Sequence, residues 1–444
     1  MNINSITRCV LYIDPGTGSM LFTILMALLG TAFYSLRLFF SKLRFHLNSG
    51  KVDQQDFEPD LVIFSDDKRY WSIFEPLCAE LNRRGQAVTY LTASEDDPAL
   101  SANYEHMEAE FLGQGNQVYA RLNILKAKLL LATTPGLDVY QWKRSQGIKC
   151  YVHILHAASE VTLYRMFGLD YYDAVMLSGL FQLQDIRALE ELRHLPAKDL
   201  RVVGIPYMDA MKKRLQEAAA LPPGPRTILL APSWGKNAIL SVYGGRIIER
   251  LLATGWKIIV RPHPQSFLNE KEMLDDLMSK YPASEQLEWN RDVDNFEVLR
   301  RADLLISDFS GVIFDFALVY DKPVLYTEPD FDLSVYDAWW LKTPLWTTSA
   351  LPRLGLALTE DKLDQLEELI EDLLEQPRFA AGRDEVRQEC WVYPGEAAVR
   401  SVDFLLEKLE EVKQAEAREL LAQKEKPAKL RIVGKERKTT SGRK

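Results

Sequence analysis

The sequence predicts an α/β protein of two doubly wound parallel sheets facing a cleft, preceded by one apolar N-terminal helix. Short apolar runs alternate with helical spacings through most of the chain, and a proline-rich break divides that alternation into two series. An uncharged stretch near the start fits neither series. At 444 residues a single core is not the default, and 47% hydrophobic with 26% charged residues is a globular composition.

Between Pro15 and Leu36 the chain carries no charged residue. At a rise of about 1.5 Å per residue such a helix just spans a hydrocarbon core. Asp14 precedes it and Arg37, Lys42, Arg44 and Lys51 follow it. Excess Lys and Arg mark the cytoplasmic flank, so residues 1–47 are expected to be a single-pass anchor in the inner (cytoplasmic) membrane, with the catalytic part in the cytoplasm. A cleaved signal peptide and a buried core helix are the alternatives.

Residues 48–220 are expected to form a Rossmann-like acceptor domain. Strand candidates are residues 61–67, 87–93, 129–135, 150–156, 174–179 and 200–206, and residues 73–84 have helical spacing that stops at Gly85. LPPGPR at residues 221–226 has the composition of a linker. Residues 221–400 then repeat the pattern, with strands expected at 227–234, 257–264, 304–307 and 323–328. Two such halves with a cleft at the carboxyl ends of their strands make a GT-B-like arrangement. Closing helices are expected at 362–374 and 397–421, and residues 401–444 are taken as a closing helix and a basic tail.

Charge and cysteine usage exclude several classes. With 54 Lys and Arg against 63 Asp and Glu the net charge is -9, which disfavours a nucleic-acid polymer as partner. Cys9, Cys78, Cys150 and Cys390 form no CxxC pair, so no zinc ribbon is indicated. No metal and no cofactor are expected.

Three motifs carry the chemistry. Residues 302–326 place a buried strand ahead of Ser307-Asp308-Phe309-Ser310-Gly311 and a helix, so that free backbone N–H groups face a phosphate or diphosphate. Ser307, Ser310 and Gly311 would hold that group, although Ser307 and Asp308 would equally serve as a simple helix cap. Arg261-Pro262-His263-Pro264 ends an apolar strand, and its prolines force a turn that presents Arg261 and His263 at the strand's carboxyl edge. His153 and His156, in YVHILHAASE, fall on opposite faces if the strand persists. His156, at the strand end, is the candidate base with a near-neutral pKa, and His153 is expected in the core.

In this order the motifs resemble the CDP-glycerol glycerophosphotransferase family, the teichoic-acid primases and polymerases of bacterial cell walls. ILLAPSW is similar to the family's Ala-Pro-Thr-Trp turn, RPHP to its Arg-x-His-Pro turn, and SDFSGVIFDFALVYDKPVLY to its Ser-Asp-x-Ser-Ser helix start. HILHAASE lies where the family has Trp-His-Gly-Thr, and VVGIPYMD where it has Gly-x-Pro-Arg-Asn-Asp. Gly311 replaces the second serine, Tyr207-Met208 replaces Arg-Asn, and the tryptophan and Gly-Thr around His156 are absent.

The resemblance implies an enzyme that moves a polyol phosphate from a CDP-activated donor to a hydroxyl of a membrane-linked glycan or lipid, releasing CMP, in cell-envelope polymer synthesis. His156 and His263 would be catalytic, and Arg261, Ser307, Asp308, Ser310, Gly311 and Ser233 would bind the donor. Partners would be a CDP-linked polyol phosphate or a nucleotide sugar, a lipid-linked acceptor and the membrane. Two rivals stay open: a GT-B sugar transferase of surface polysaccharide, and a non-catalytic GT-B-like scaffold of envelope assembly.

Overall fold

The computed structural model describes residues 58–425 apart from 293, 329–331, 342–343 and 377. The first seven strands are β1 (Leu61–Ser65), β2 (Val88–Thr92), β3 (Met107–Phe111), β4 (Ala127–Ala132), β5 (Ile148–Ile154), β6 (Ala174–Leu177) and β7 (Asp199–Val202). They form one parallel sheet in the order β3-β2-β1-β4-β5-β6-β7. Six more follow: β8 (Thr227–Leu230), β9 (Lys257–Val260), β10 (Leu287–Trp289), β11 (Leu304–Ser307), β12 (Val324–Tyr326) and β13 (Gly355–Ala357). These form a second parallel sheet, β10-β9-β8-β11-β12-β13. Two doubly wound sheets agree with the expected α/β, GT-B-like class.

Strand order reverses between β1 and β4 in the first sheet and between β8 and β11 in the second. The loops leaving such neighbours run to opposite faces of a sheet and open a crevice at its carboxyl end. Ser65 to Tyr70, Thr133 and Thr134 therefore line one crevice, and Ala231 to Trp234 with Asp308 to Gly311 line the other.

Both faces of each sheet are covered, which is why the central strands are apolar throughout. The helix Trp71–Arg83 buries Ile73, Phe74, Leu77, Cys78 and Leu81, one stripe at helical spacing, against the first sheet. Its end matches the stop signal: Gly85 takes φ +66°, and its N–H closes on the Asn82 carbonyl. The long helix Ala397–Glu425 returns across the whole second half to place Val402, Phe404, Leu405 and Leu409 in the same core. A further core is shared by both halves, joining Ala158, Ile205 and Met208 to Leu229, Ile259, Leu305 and Phe316.

The membrane anchor is corrected. Among the described residues no helix is long and apolar enough to cross a membrane. Helix Ala397–Glu425, the longest at 29 residues, spends its apolar side on the first sheet and carries charge elsewhere. The expected span over residues 15–36 lies outside the described residues, as does the basic tail from residue 426, so single-pass anchoring has no support in the structure.

Candidate active site

Strand β5 ends at Ile154, two residues short of His156. The opposite-faces argument for the two histidines fails for that reason, because alternation stops where the strand stops. Tyr164 Oη lies 3.2 Å from His153 Nε2 and 3.5 Å from His156 Nδ1. His153 is fully buried between the rings of Tyr164 and Tyr172, as expected of a core histidine.

The tautomer of His156 follows from its neighbour. Thr133 Oγ1 donates to the Ile154 carbonyl at 2.8 Å, so it acts as an acceptor toward His156 Nδ1, 3.1 Å away. The proton therefore sits on Nδ1 and Nε2 keeps its lone pair. Across the cleft the backbone N–H of Gln265 donates to His263 Nδ1 at 3.1 Å. His263 thus carries its proton on Nε2. One imidazole offers a bare nitrogen and the other an N–H donor.

Neither histidine has a near-neutral pKa. Burial, and then the positive charge of Arg69, push His156 down to about 4, against an opposing hydrogen bond to the Thr133 backbone. Burial and the same Arg69 push His263 down to about 4, with Glu270 opposing. Both rings are neutral at pH 7.

Arg69 lies on the short 3-10 turn Lys68–Tyr70 that follows β1. Its Nε donates to Asp67 at 2.9 Å, and 47% of its side chain is exposed. The ring of the next residue, Tyr70, sits 5.3 Å from that of His156. Arg69 and Tyr70 fall between the strand expected at 61–67 and the helical spacing that begins at Ile73, where no motif marks them. Their position directly after a strand was the available signal.

The diphosphate turn divides in two. Ser307 is fully buried and donates its hydroxyl to the Ala231 carbonyl at 2.6 Å. Asp308 is also fully buried and accepts the backbone N–H groups of Ser233 at 2.9 Å and Ile239 at 3.0 Å. Both side chains are consumed in tying β11 to the loop after β8. Ser233 is buried; its backbone N–H is held by Asp308, and its hydroxyl has no hydrogen-bond partner among the described residues. Ser310 is half-buried and Gly311 exposed. A Cβ built on Gly311 would come 3.8 Å from the Cβ of Ala157, so this turn and the loop carrying His156 are neighbours.

Arg261 also has partners within the chain. Its guanidinium bonds the Asn290 side chain and the Asp292 carbonyl, the latter at 2.8 Å, which turns it along the sheet toward β10. Burial pulls its pKa down.

Behind Gly311 the helix widens from α to π geometry over Asp315–Val319. Asp315, raised to about 6 by burial, accepts from the Tyr207 hydroxyl. Tyr207 and Met208, which depart from the family pattern, are thus packing residues at the junction of the halves. Asp209 accepts Trp391 Nε1 at 2.8 Å and the Ala397 N–H at 3.0 Å, starting the long return helix.

An open cavity of about 700 Å³ adjoins this cleft at the carboxyl ends of β1 and β2 and beside the loop after β3. Asp66, Asp67, Glu95, Asp96, Gln114 and Tyr119 line it. Among the described residues no group of three His, Cys, Asp or Glu is placed to hold a metal ion.

Two parallel Rossmann-like sheets, each with its crevice at the carboxyl ends of its strands, make a fold of GT-B type. Residues 184–338 match the family model described as CDP-glycerol:poly(glycerophosphate) glycerophosphotransferase. That match bears out the resemblance drawn from the motifs, and with it the expectation of an enzyme, a transferase of glycerophosphotransferase type. His263 and the Ser310-Gly311 turn lie inside the matched segment, and His156 lies before it.

Among solved structures the chain is similar to the wall teichoic acid polymerase TagF soaked with CDPG, at 15% identity and TM-score 0.52, covering 81% of this chain and 91% of that one. A putative UDP-N-acetylglucosamine 2-epimerase from Listeria monocytogenes is similar at 14% identity and TM-score 0.52, covering 80% and 98%. The UDP-GlcNAc 2-epimerase of Methanocaldococcus jannaschii, in complex with UDP-GlcNAc and UDP, gives 13% and 0.52 over 79% and 99%. At these identities the likeness is one of fold. No curated protein sequence gives a significant match.

Proposed function

We propose that the protein transfers a polyol phosphate from a CDP-linked donor to a hydroxyl of a lipid-linked envelope glycan, releasing CMP. The complementary tautomers of His156 and His263 carry this reading. The acceptor O–H gives its proton to His156 Nε2 while its oxygen forms a bond to the donor's distal phosphorus. The bond from that phosphorus to the bridging oxygen breaks, CMP departs, and His263 Nε2–H donates to the oxygen on which charge collects. Backbone N–H groups at Ser310 and Gly311 hold the diphosphate at the start of the helix. The polar cavity beside Asp66 and Glu95 suits a polyhydroxylated acceptor.

Binding of CDP-glycerol, CDP-ribitol and a panel of UDP-sugars, read by thermal shift alongside CMP release, tests the donor class. A preference for UDP-sugars would sink the assignment. His156→Ala should lower kcat by roughly 10²- to 10⁴-fold and leave donor affinity almost unchanged, because a general base acts on the transition state. Since His156 must be unprotonated, kcat/KM should fall only as pH drops through about 4. A bound diphosphate offsets the Arg69 charge, so the acidic limb of kcat should lie at higher pH than that of kcat/KM.

A further inference from the structure

Of the two histidines that the proposed mechanism uses, one stands at the end of the first sheet and the other on the second. Among the described residues one cation, Arg69, bears on both. Arg69 is on the turn after β1, where strand order reverses, and its neighbour Tyr70 packs on His156. The loop after His156 lies beside the Ser310-Gly311 turn, with Ala157 3.8 Å from where a Cβ on Gly311 would stand. The guanidinium is held to Asp67 by Nε alone, and its two Nη groups make no hydrogen bond among the described residues. Arg261, the arginine that the motif suggested, is occupied by Asn290 and Asp292.

We propose that Arg69 is a catalytic residue of this site, its Nη groups gripping the non-bridging oxygens of the phosphoryl group in transfer. The proposal rests on the phosphotransfer reading above. A planar fork anchored at Nε presents parallel N–H donors to two phosphate oxygens, and a fixed positive charge there gains most as the transferring group develops its transition-state charge. Arg69 comes from the first half, so the donor is completed only where both halves meet. The same charge adds to burial in keeping the two imidazoles neutral, in competition with Glu270 at His263 and beside Tyr70, Thr133 and Tyr164 at His156.

The test uses Arg69→Gln and Arg69→Lys in the full chain, which should fold because the side chain is half exposed. Arg69→Gln should lose about 10²- to 10³-fold in kcat, the usual effect of removing one such donor, with a smaller change in CDP affinity. Arg69→Lys should recover part of it, since the charge returns without the fork. Histidine titration by NMR, without substrate, should show both imidazoles moving to higher pH in Arg69→Gln and back in Arg69→Lys. Calorimetry with inorganic pyrophosphate should show weakened binding in Arg69→Gln. Wild-type turnover in Arg69→Gln would overturn the proposal. If the wild-type protein turns over no CDP-linked donor, the phosphotransfer reading fails by itself. Unchanged histidine titration and pyrophosphate binding in Arg69→Gln would then overturn Arg69 independently.

Discussion

Asp308 and Asp315 lie on the same strand, turn and helix, and burial raises both, although their partners differ. Asp308 accepts two backbone N–H groups, whereas Asp315 meets the Tyr207 hydroxyl in a closed environment and is raised to about 6. Raised above its ordinary value of 3.8, Asp315 holds its proton more tightly in the folded chain. Its contribution to stability is complete below pH 3.8 and is lost as pH rises through about 6. Denaturant unfolding of Asp315→Asn should therefore show a smaller loss between pH 4 and pH 7 than the wild type. At about 1.4 kcal/mol per unit the difference is on the order of 3 kcal/mol. His153 and His156, both depressed, push stability the opposite way over that range and cancel in the comparison. An equal pH response in the two proteins would show that Asp315 is ionised throughout.

At this scale the site was half legible. The pattern of strand, small polar turn and helix located Ser307 to Gly311 at a carboxyl edge. Which side chains point outward depends on the β8 to β11 pairing, and that pairing turns Ser307 and Asp308 inward. Arg69 was hidden for the opposite reason, since an exposed charge has no apolar periodicity to betray its place.

All ten strands expected from apolar runs are present, and the three that were missed, β3, β10 and β13, are sheet edges. An edge strand is covered less completely, so it is short or mixed in polarity. β10 and β13 have three residues each, and β3, Met-Glu-Ala-Glu-Phe, alternates with its glutamates exposed. Alternation was the legible signal in β3, but a run of five with two acids resembles a loop. The turn after β11 also explains one departure from the family pattern. Gly311 has φ -56° and ψ -19°, which any residue adopts, and a Cβ there would make only an ordinary contact with Ala157. Gly311→Ser should keep stability within about 0.5 kcal/mol. Its added hydroxyl should tighten CDP binding by about 10-fold, the lower end of a hydrogen bond to a charged group. Weaker binding in that variant would move the diphosphate away from this turn.

The halves are bound to one another at several points besides the cleft. Thr347 donates its hydroxyl to Glu160 at 2.5 Å, Arg193 pairs with Asp337, and an antiparallel bridge joins Arg165 to Tyr336. Phe181 stacks on Trp346 with ring centroids 4.3 Å apart. Wide opening of the cleft would break these contacts together, so nucleotide binding is expected to change the overall dimensions little.

Helix Ala397–Glu425 has a consequence for how the chain is made. A ribosome delivers residues in order, and domains ordinarily fold as they emerge, the first one first. Here the first sheet leaves the ribosome early but lacks Val402, Phe404, Leu405 and Leu409, which arrive after the entire second sheet. The part of its apolar face that helix Trp71–Arg83 leaves open must wait uncovered while the second half is synthesised. A chain stopped before Ala397 should therefore yield an intact second sheet beside a first half that binds hydrophobic dyes and is cut rapidly by proteases, and supplying residues 397–425 as a separate peptide should restore protection. A stopped chain that resists proteolysis throughout would mean that the first sheet closes without its last helix.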